Sequence, residues 1–282
     1  VTTSLTRTAP SPPLAARISR AWQLARERAA TADLLTFYGD LAEYQQSLLA
    51  ERARVIRHPD PRFGDALDAR AAAALMPGLL RWLESRPQQG LAGVGQTLRG
   101  RIAADWTPLL ESYWRRGGVS LPQEDEIEQF VLEALLQPFA ESVALSLRNA
   151  DAGEVREPSE SRRFQQCPVC GGQPIVATLR ERGHGARRSL VCGFCLTDWP
   201  MPRVVCPFCD ESSFEALLIY RAEEFPDVRI DACRSCATYV KTLDLTVNGA
   251  AIPIVDDLAS LAMDLWAAGR EYRKVRPNLL RL

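Results

Sequence analysis

Apolar residues in the first half of the chain recur at intervals of three and four. Leu14, Ile18, Trp22 and Ala25 follow this spacing, which is that of one helix face. Thr31 or Asp33 is placed to cap a longer helix carrying Leu34, Leu35, Tyr38, Leu41, Leu48 and Leu49, and His58-Pro59-Asp60-Pro61 ends it. A third stretch, about 65–86, is interrupted by Pro77, which fits the first turn of a new helix bearing Leu79, Leu80, Trp82 and Leu83. Leu91 to Trp114 and Glu124 to Leu147 predict two more, the latter kinked or split at Pro138. Short loops with Gly or Pro join these segments, so residues 14–160 predict an antiparallel helical domain. Trp22, Tyr38, Trp82, Trp106, Tyr113 and Trp114 match the apolar faces and are expected to be core rather than a ligand-binding set.

Beyond residue 160 the helical period gives way to short β-like stretches punctuated by cysteine. All eight cysteines fall in four C-x-x-C pairs: Cys167/Cys170, Cys192/Cys195, Cys206/Cys209 and Cys233/Cys236. A C-x-x-C turn puts two sulfurs on one side of a tight loop, and two such turns complete a tetrahedral four-sulfur site. Four turns therefore predict two metals. The intervals are 21 residues between Cys170 and Cys192, ten between Cys195 and Cys206, and 23 between Cys209 and Cys233. Each long interval opens on C-P-x-C, an internal repeat that favours sequential pairing. Centre one is then Cys167, Cys170, Cys192 and Cys195, and centre two is Cys206, Cys209, Cys233 and Cys236. On spacing alone, a cross-braced site built from Cys192, Cys195, Cys206 and Cys209 stays open. Each half is only about 40 residues long, too small to fold readily without a staple. A structural tetrathiolate site can supply folding free energy on the order of 10 kcal/mol. Disulfides between neighbouring thiols would close loops too short to help, and no signal peptide indicates an oxidising compartment.

Composition narrows the function. The 282 residues carry a net charge of −1, and residues 161–250 contain 11 Lys/Arg against ten Asp/Glu. A nucleic-acid-binding double zinc ribbon, the alternative reading, would show a clearer basic excess. The only lysines are Lys241 and Lys274, which reads as arginine-rich codon bias. No apolar run approaches the ~20 residues of a membrane span, and the expected compartment is the cytoplasm. Residues 1–13 are rich in Thr, Ser and Pro and predict a flexible tail. The chain opens on Val1, which leaves room for a trimmed start. Arg115-Arg116 is a twin arginine in mid-chain and cannot serve as an N-terminal export signal. His58 and His184 are expected to be exposed loop residues, since both metal sites already have full sulfur sets. No phosphate-cradling loop, H-E-x-x-H or nucleophile elbow occurs, and a complete sulfur shell has no open position for Lewis-acid chemistry. The expectation is a protein that is not an enzyme.

The tail holds one more legible stretch. Asp256 or Asp257 is placed to cap a helix whose apolar face is Leu258, Leu261, Ala262, Leu265 and Trp266. The two acids either only cap or meet a partner.

The chain resembles the FdhE family of formate dehydrogenase accessory proteins over about 165–280. The resemblance rests on Cys167-Pro168-Val169-Cys170, on Trp199 followed by Arg203-Val204-Val205-Cys206, and on Cys233 to Lys241. Asp256-Asp257-Leu258-Ala259-Ser260-Leu261 and Tyr272 with Pro277-Asn278 complete it. It implies an α plus small metal-binding β architecture: a helical domain (14–160), two tandem rubredoxin-like, zinc-ribbon-like modules (161–203 and 204–250), and a C-terminal helix and tail (251–282). It also implies two iron ions, one per four-cysteine site, although residue chemistry alone accepts zinc as readily. The implied partner is the molybdopterin-containing catalytic subunit of formate dehydrogenase, bound in the cytoplasm before Tat-dependent export. Asp256 and Asp257 are candidate contacts for it.

Overall fold

The computed structural model describes residues 12–57, 62–86, 103–121, 123–150, 165–183 and 185–281. His58, His184, the tail over 1–11 and the first part of the expected Leu91–Trp114 helix lie outside them. The helical half follows the apolar periodicity closely: α1 (Leu14–Glu27), α2 (Ala32–Leu48), α3 (Arg52–Val55), α4 (Ala69–Ala73), α5 (Met76–Glu84), α6 (Ala103–Arg115) and α7 (Glu126–Ala150). Leu35, Tyr38 and Leu41 of α2, Leu79 and Leu83 of α5, and Val131, Leu135 and Phe139 of α7 share one core. Trp106, Tyr113 and Trp114 are buried in it as well, while Trp22 and Trp82 pack at its edge.

Pro138 does not split α7, which is helical from Glu126 to Ala150. The ring leaves the carbonyl of Ala134, one turn earlier, without its helical donor. The Gln45 side chain of α2 supplies the replacement, donating to that oxygen at 3.0 Å while fully buried. A long-range polar contact thus absorbs a local defect. Helix α7 is long and apolar enough to cross a membrane, but 78% of its apolar window is buried within this fold. Its buried Glu141 pairs with Arg17 of α1.

The second half forms one mixed sheet. Strands β1 (Pro174–Arg182), β2 (Gly185–Cys192) and β3 (Asp198–Pro200) make one antiparallel set, and β4 (Leu217–Ala222), β5 (Phe225–Cys233) and β6 (Thr238–Asp244) make another. Parallel pairing of β1 with β6, from Val176 opposite Lys241 to Leu179 opposite Asp244, joins the sets edge to edge. The order is β3-β2-β1-β6-β5-β4, with short β7 (Arg273–Lys274) parallel to the start of β6. Arg188 of β2 reinforces the junction: it donates to the Val205 carbonyl at 3.2 Å and pairs with Asp231 of β5 at 2.9 Å.

Helices α8 (Pro253–Ala259) and α9 (Leu261–Ala268) cover one sheet face. Here the expected apolar stripe is corrected. The helix breaks at Ser260, which resets its phase. Met263, Asp264 and Ala267 therefore turn inward, and Leu265 is 68% exposed.

Candidate metal centres

Both four-cysteine sets are assembled in sequential order. Within each set every sulfur lies within 4.8 Å of the others, so the cross-braced arrangement is not the one the chain adopts. The same plan builds each centre. A knuckle precedes a hairpin, the hairpin's second strand ends on a cysteine, and the following turn presents the last sulfur: Cys167/Cys170, β1, β2 ending at Cys192, then Cys195; and Cys206/Cys209, β4, β5 ending at Cys233, then Cys236. In all four turns the residue after the second cysteine takes a left-handed backbone: Gly171 (φ 78°), Leu196 (φ 57°), Asp210 (φ 60°) and Ala237 (φ 52°). That conformation costs a non-glycine residue about 1–2 kcal/mol, and it persists where surrounding bonds over-determine it.

The sulfur geometry fits a metal and not disulfides. Cys167 and Cys195 sulfurs are 3.5 Å apart, Cys170 and Cys192 3.4 Å, Cys206 and Cys236 3.8 Å, and Cys209 and Cys233 3.7 Å. A tetrahedron with metal–sulfur bonds of ~2.3 Å has edges of roughly 3.8 Å, whereas a disulfide bond is only about 2.05 Å long. Backbone amides point at the sulfurs: Gly172 to Cys170 at 3.3 Å, Phe194 to Cys192 at 3.4 Å and Phe208 to Cys206 at 3.4 Å. A threonine hydroxyl completes each second knuckle, with Thr197 3.2 Å from Cys195 and Thr238 3.0 Å from Cys236. Neither threonine was expected to meet a sulfur, although C-x-x-C-x-T recurs in both copies.

Electrostatics point the same way. Burial pushes the Cys167, Cys170 and Cys206 thiols above their ordinary range. Burial would raise Cys192 too, but hydrogen bonds from its three sister thiols and the nearby Arg276 pull it well down. In centre one the fold alone thus favours the thiolate at Cys192 over those at Cys167 and Cys170. A bound dication would supply the charge that lets all four sulfurs ionise, and four sulfurs would fill its coordination shell.

The two centres differ in setting. All four centre-one cysteines are buried, whereas Cys209 is exposed and Cys236 half-exposed. Centre one sits against the helical domain. Phe194, inside its second knuckle, packs edge-on against Tyr113 at 5.6 Å and Trp114 at 5.8 Å. Gln137 of α7 donates to the Gly193 carbonyl at 3.0 Å. Gly117, after α6, has φ 63° and lies flush against the first knuckle, where a Cβ would collide with the Cys170 carbonyl oxygen and the Gly172 nitrogen. We expect Gly117→Ala to cost about 2–4 kcal/mol from backbone strain and forced separation together, read as a lowered denaturation midpoint.

Asp256 and Asp257 are not surface groups, which corrects their expected place at a partner contact. Helix α8 starts at Pro253, before both acids. Asp256 accepts from the Ile252 amide at 2.7 Å and takes both ends of the Arg20 guanidinium, at 2.6 and 3.1 Å, tying α8 to α1. Fully buried Asp257 pairs with Lys241 at 3.0 Å and Lys274 at 2.9 Å, and Asp264 pairs with the same two lysines. Tyr239 donates to Asp264 at 2.7 Å. Both lysines of the chain therefore meet in one buried quartet. Their scarcity was the available signal, and reading it as codon bias missed the site.

Fold and centres together define a class: a helical domain carrying a sheet with two four-cysteine metal-binding knuckle pairs. Residues 166–203 match the FdhE central domain and 204–281 the FdhE C-terminal domain. A protein FdhE homolog of Aquifex aeolicus is 33% identical over 158 residues, covering 55% of this chain and 53% of that protein. One from Pseudomonas aeruginosa is 36% identical over 160 residues, covering 53% and 51%. The chain thus spans about half the length of the curated relatives it matches. The crystal structure of the FdhE protein from Pseudomonas aeruginosa superposes with a TM-score of 0.74 at 25% identity, covering 98% of this chain and 99% of that one. Residues 166–281 thus match the two FdhE domain models in order, and the whole fold is shared with an FdhE protein.

Proposed function

We propose that this protein is a non-catalytic accessory factor for formate dehydrogenase. It binds the molybdopterin-containing catalytic subunit in the cytoplasm before Tat-dependent export, with one iron in each centre. Residues 14–160 act as scaffold, 161–203 and 204–250 as the two metal modules, and 251–282 as the clasp that holds them together. The observation that carries the reading is the pair of complete four-sulfur centres on a fold shared end to end with an FdhE protein. A closed sulfur shell suits shape-holding or electron transfer and offers substrate no coordination position. Because Asp256 and Asp257 face inward, the surface offered to the partner is the rim of centre two, where Phe208, Phe214 and Ile219 are exposed. Capture of the catalytic subunit on immobilised protein is expected, and Phe214→Glu is expected to weaken it without changing the melting curve. Undiminished capture by folded Phe214→Glu would remove this surface, and no capture by wild-type protein would remove the reading. Anaerobically purified protein should show the visible absorption of ferric tetrathiolate on oxidation, whereas colourless zinc-only protein would overturn the iron assignment. The near-balanced charge of the metal half supports no salt-sensitive retention on nucleic acid.

A further inference from the structure

We propose that the two centres divide the work: centre two releases and retakes its metal while the fold stays assembled, and centre one keeps its metal for the lifetime of the fold. The proposal rests on the reading that both clusters bind metal. It goes beyond that reading by assigning exchange to one centre and permanence to the other.

Three observations carry it. The first is access. Cys209 is exposed and Cys236 half-exposed, so a chelator can reach two ligands of centre two from solvent, whereas no centre-one sulfur is open. The second is what surrounds each site. Opening centre one would separate Phe194 from Tyr113 and Trp114, Gln137 from Gly193, and Gly117 from the first knuckle. That is global unfolding. Opening centre two needs only its first knuckle to move, because Cys233 and Cys236 lie on a hairpin already held by β4 on one side and β1 on the other. The third is the attachment of that mobile arm. Arg188 holds its base through the carbonyls of Arg203 and Val205. Glu211, just past Cys209, accepts from the Ser235 hydroxyl at 2.6 Å and from the Ser212 and Ser213 amides at 2.9 Å. Because Ser235 lies between Cys233 and Cys236, this latch links the two knuckles of centre two without any metal. The arm can lose its ion and stay in register. Local opening of this kind draws on a small part of the global stability. In the exchange the dication passes to the competing ligand and the freed thiolates take up protons from solvent.

The test uses the whole 282-residue chain purified anaerobically with both metals bound. EDTA is added, metals per chain are counted by native mass spectrometry, and free thiols are mapped with iodoacetamide. The expected course runs through a one-metal species labelled at Cys206, Cys209, Cys233 and Cys236 and unlabelled at the other four, with circular dichroism unchanged. The first metal should leave about tenfold faster than the second, or more, as local opening outpaces global unfolding. Loss of both metals in one phase, or first labelling at Cys167, Cys170, Cys192 or Cys195, overturns the division. A chain with no metal before EDTA is added overturns the metal reading itself. As a second arm, the double variant Cys209→Ala, Cys236→Ala should fold and hold one metal. A metal-free or unfolded product would contradict the proposal.

Discussion

Cys192→Ser should abolish the accumulation of folded protein. Cys192 is fully buried, lies 3.4 Å from the Cys170 sulfur, and accepts amide hydrogens from Phe194 and Cys195. Serine offers a shorter, neutral oxygen that binds soft metal sites poorly. The buried sulfur cluster would then lose its cation, and the polar groups aimed at Cys192 would lose their acceptor. A structural tetrathiolate site is worth on the order of 10 kcal/mol, similar to the whole ~5–15 kcal/mol by which domains are stable. Packing spreads the damage, because Phe194 and Gly193 in the same knuckle form the contact with α6 and α7. Soluble yield and a circular dichroism melt are the measurements. A soluble variant melting within a few degrees of wild type would show that centre one is dispensable for the fold.

Sequence periodicity and spacing revealed most of the architecture, and apart from the helix break at Ser260 the failures share one cause. Helices α1, α2, α4 and α5 and the pairing of the eight cysteines depend on residues close in the chain, where a 3.6-residue period or a C-x-x-C turn is a local fact. The continuity of α7 through Pro138 depends on Gln45, 93 positions earlier in numbering. The two metal modules read as separate units because each hairpin is local. Their fusion into one sheet rests on parallel pairing of β1 with β6, which no neighbouring residue announces. Asp256 and Asp257 looked exposed because isolated carboxylates usually are. Their partners Arg20, Lys241 and Lys274 come from three distant segments. What is missed, then, is long-range polar pairing.

The buried quartet carries the second large effect. Lys241→Met is expected to cost about 3–5 kcal/mol, the usual penalty for leaving a buried charge without its partner. The side chain of Lys241 is fully buried. Its ammonium donates to the Asp257 carbonyl at 2.6 Å and the Ser260 hydroxyl at 3.1 Å, and it forms ion pairs with both carboxylates. Without it, Asp257 and Asp264 would share only Lys274, a net negative charge in a site closed to water. The loss should depend on pH. Burial alone would raise the Asp257 carboxyl, but the Lys241 and Lys274 ammoniums outweigh it and hold the group below the usual carboxylate range. Its contribution is therefore fully present above the unfolded value of ~3.9 and is lost as pH falls through the depressed folded value. The gap between wild type and Lys241→Met, measured by denaturant titration, should be widest near neutrality and should narrow below about pH 4, where the unfolded carboxyl takes up its proton. A second readout separates this from a local defect. The quartet anchors β7, and the chain just beyond β7 carries Arg276 and Arg281, which pair with the buried Glu133 of α7 at 2.8 Å each. Arg276 also lies against Gly193 of centre one. Loosening this clasp removes the cover from that knuckle, so Lys241→Met should speed alkylation at Cys192 and Cys195 while leaving Cys209 as reactive as before. An unchanged midpoint with unchanged labelling would mean that the C-terminal segment is held by its apolar contacts alone.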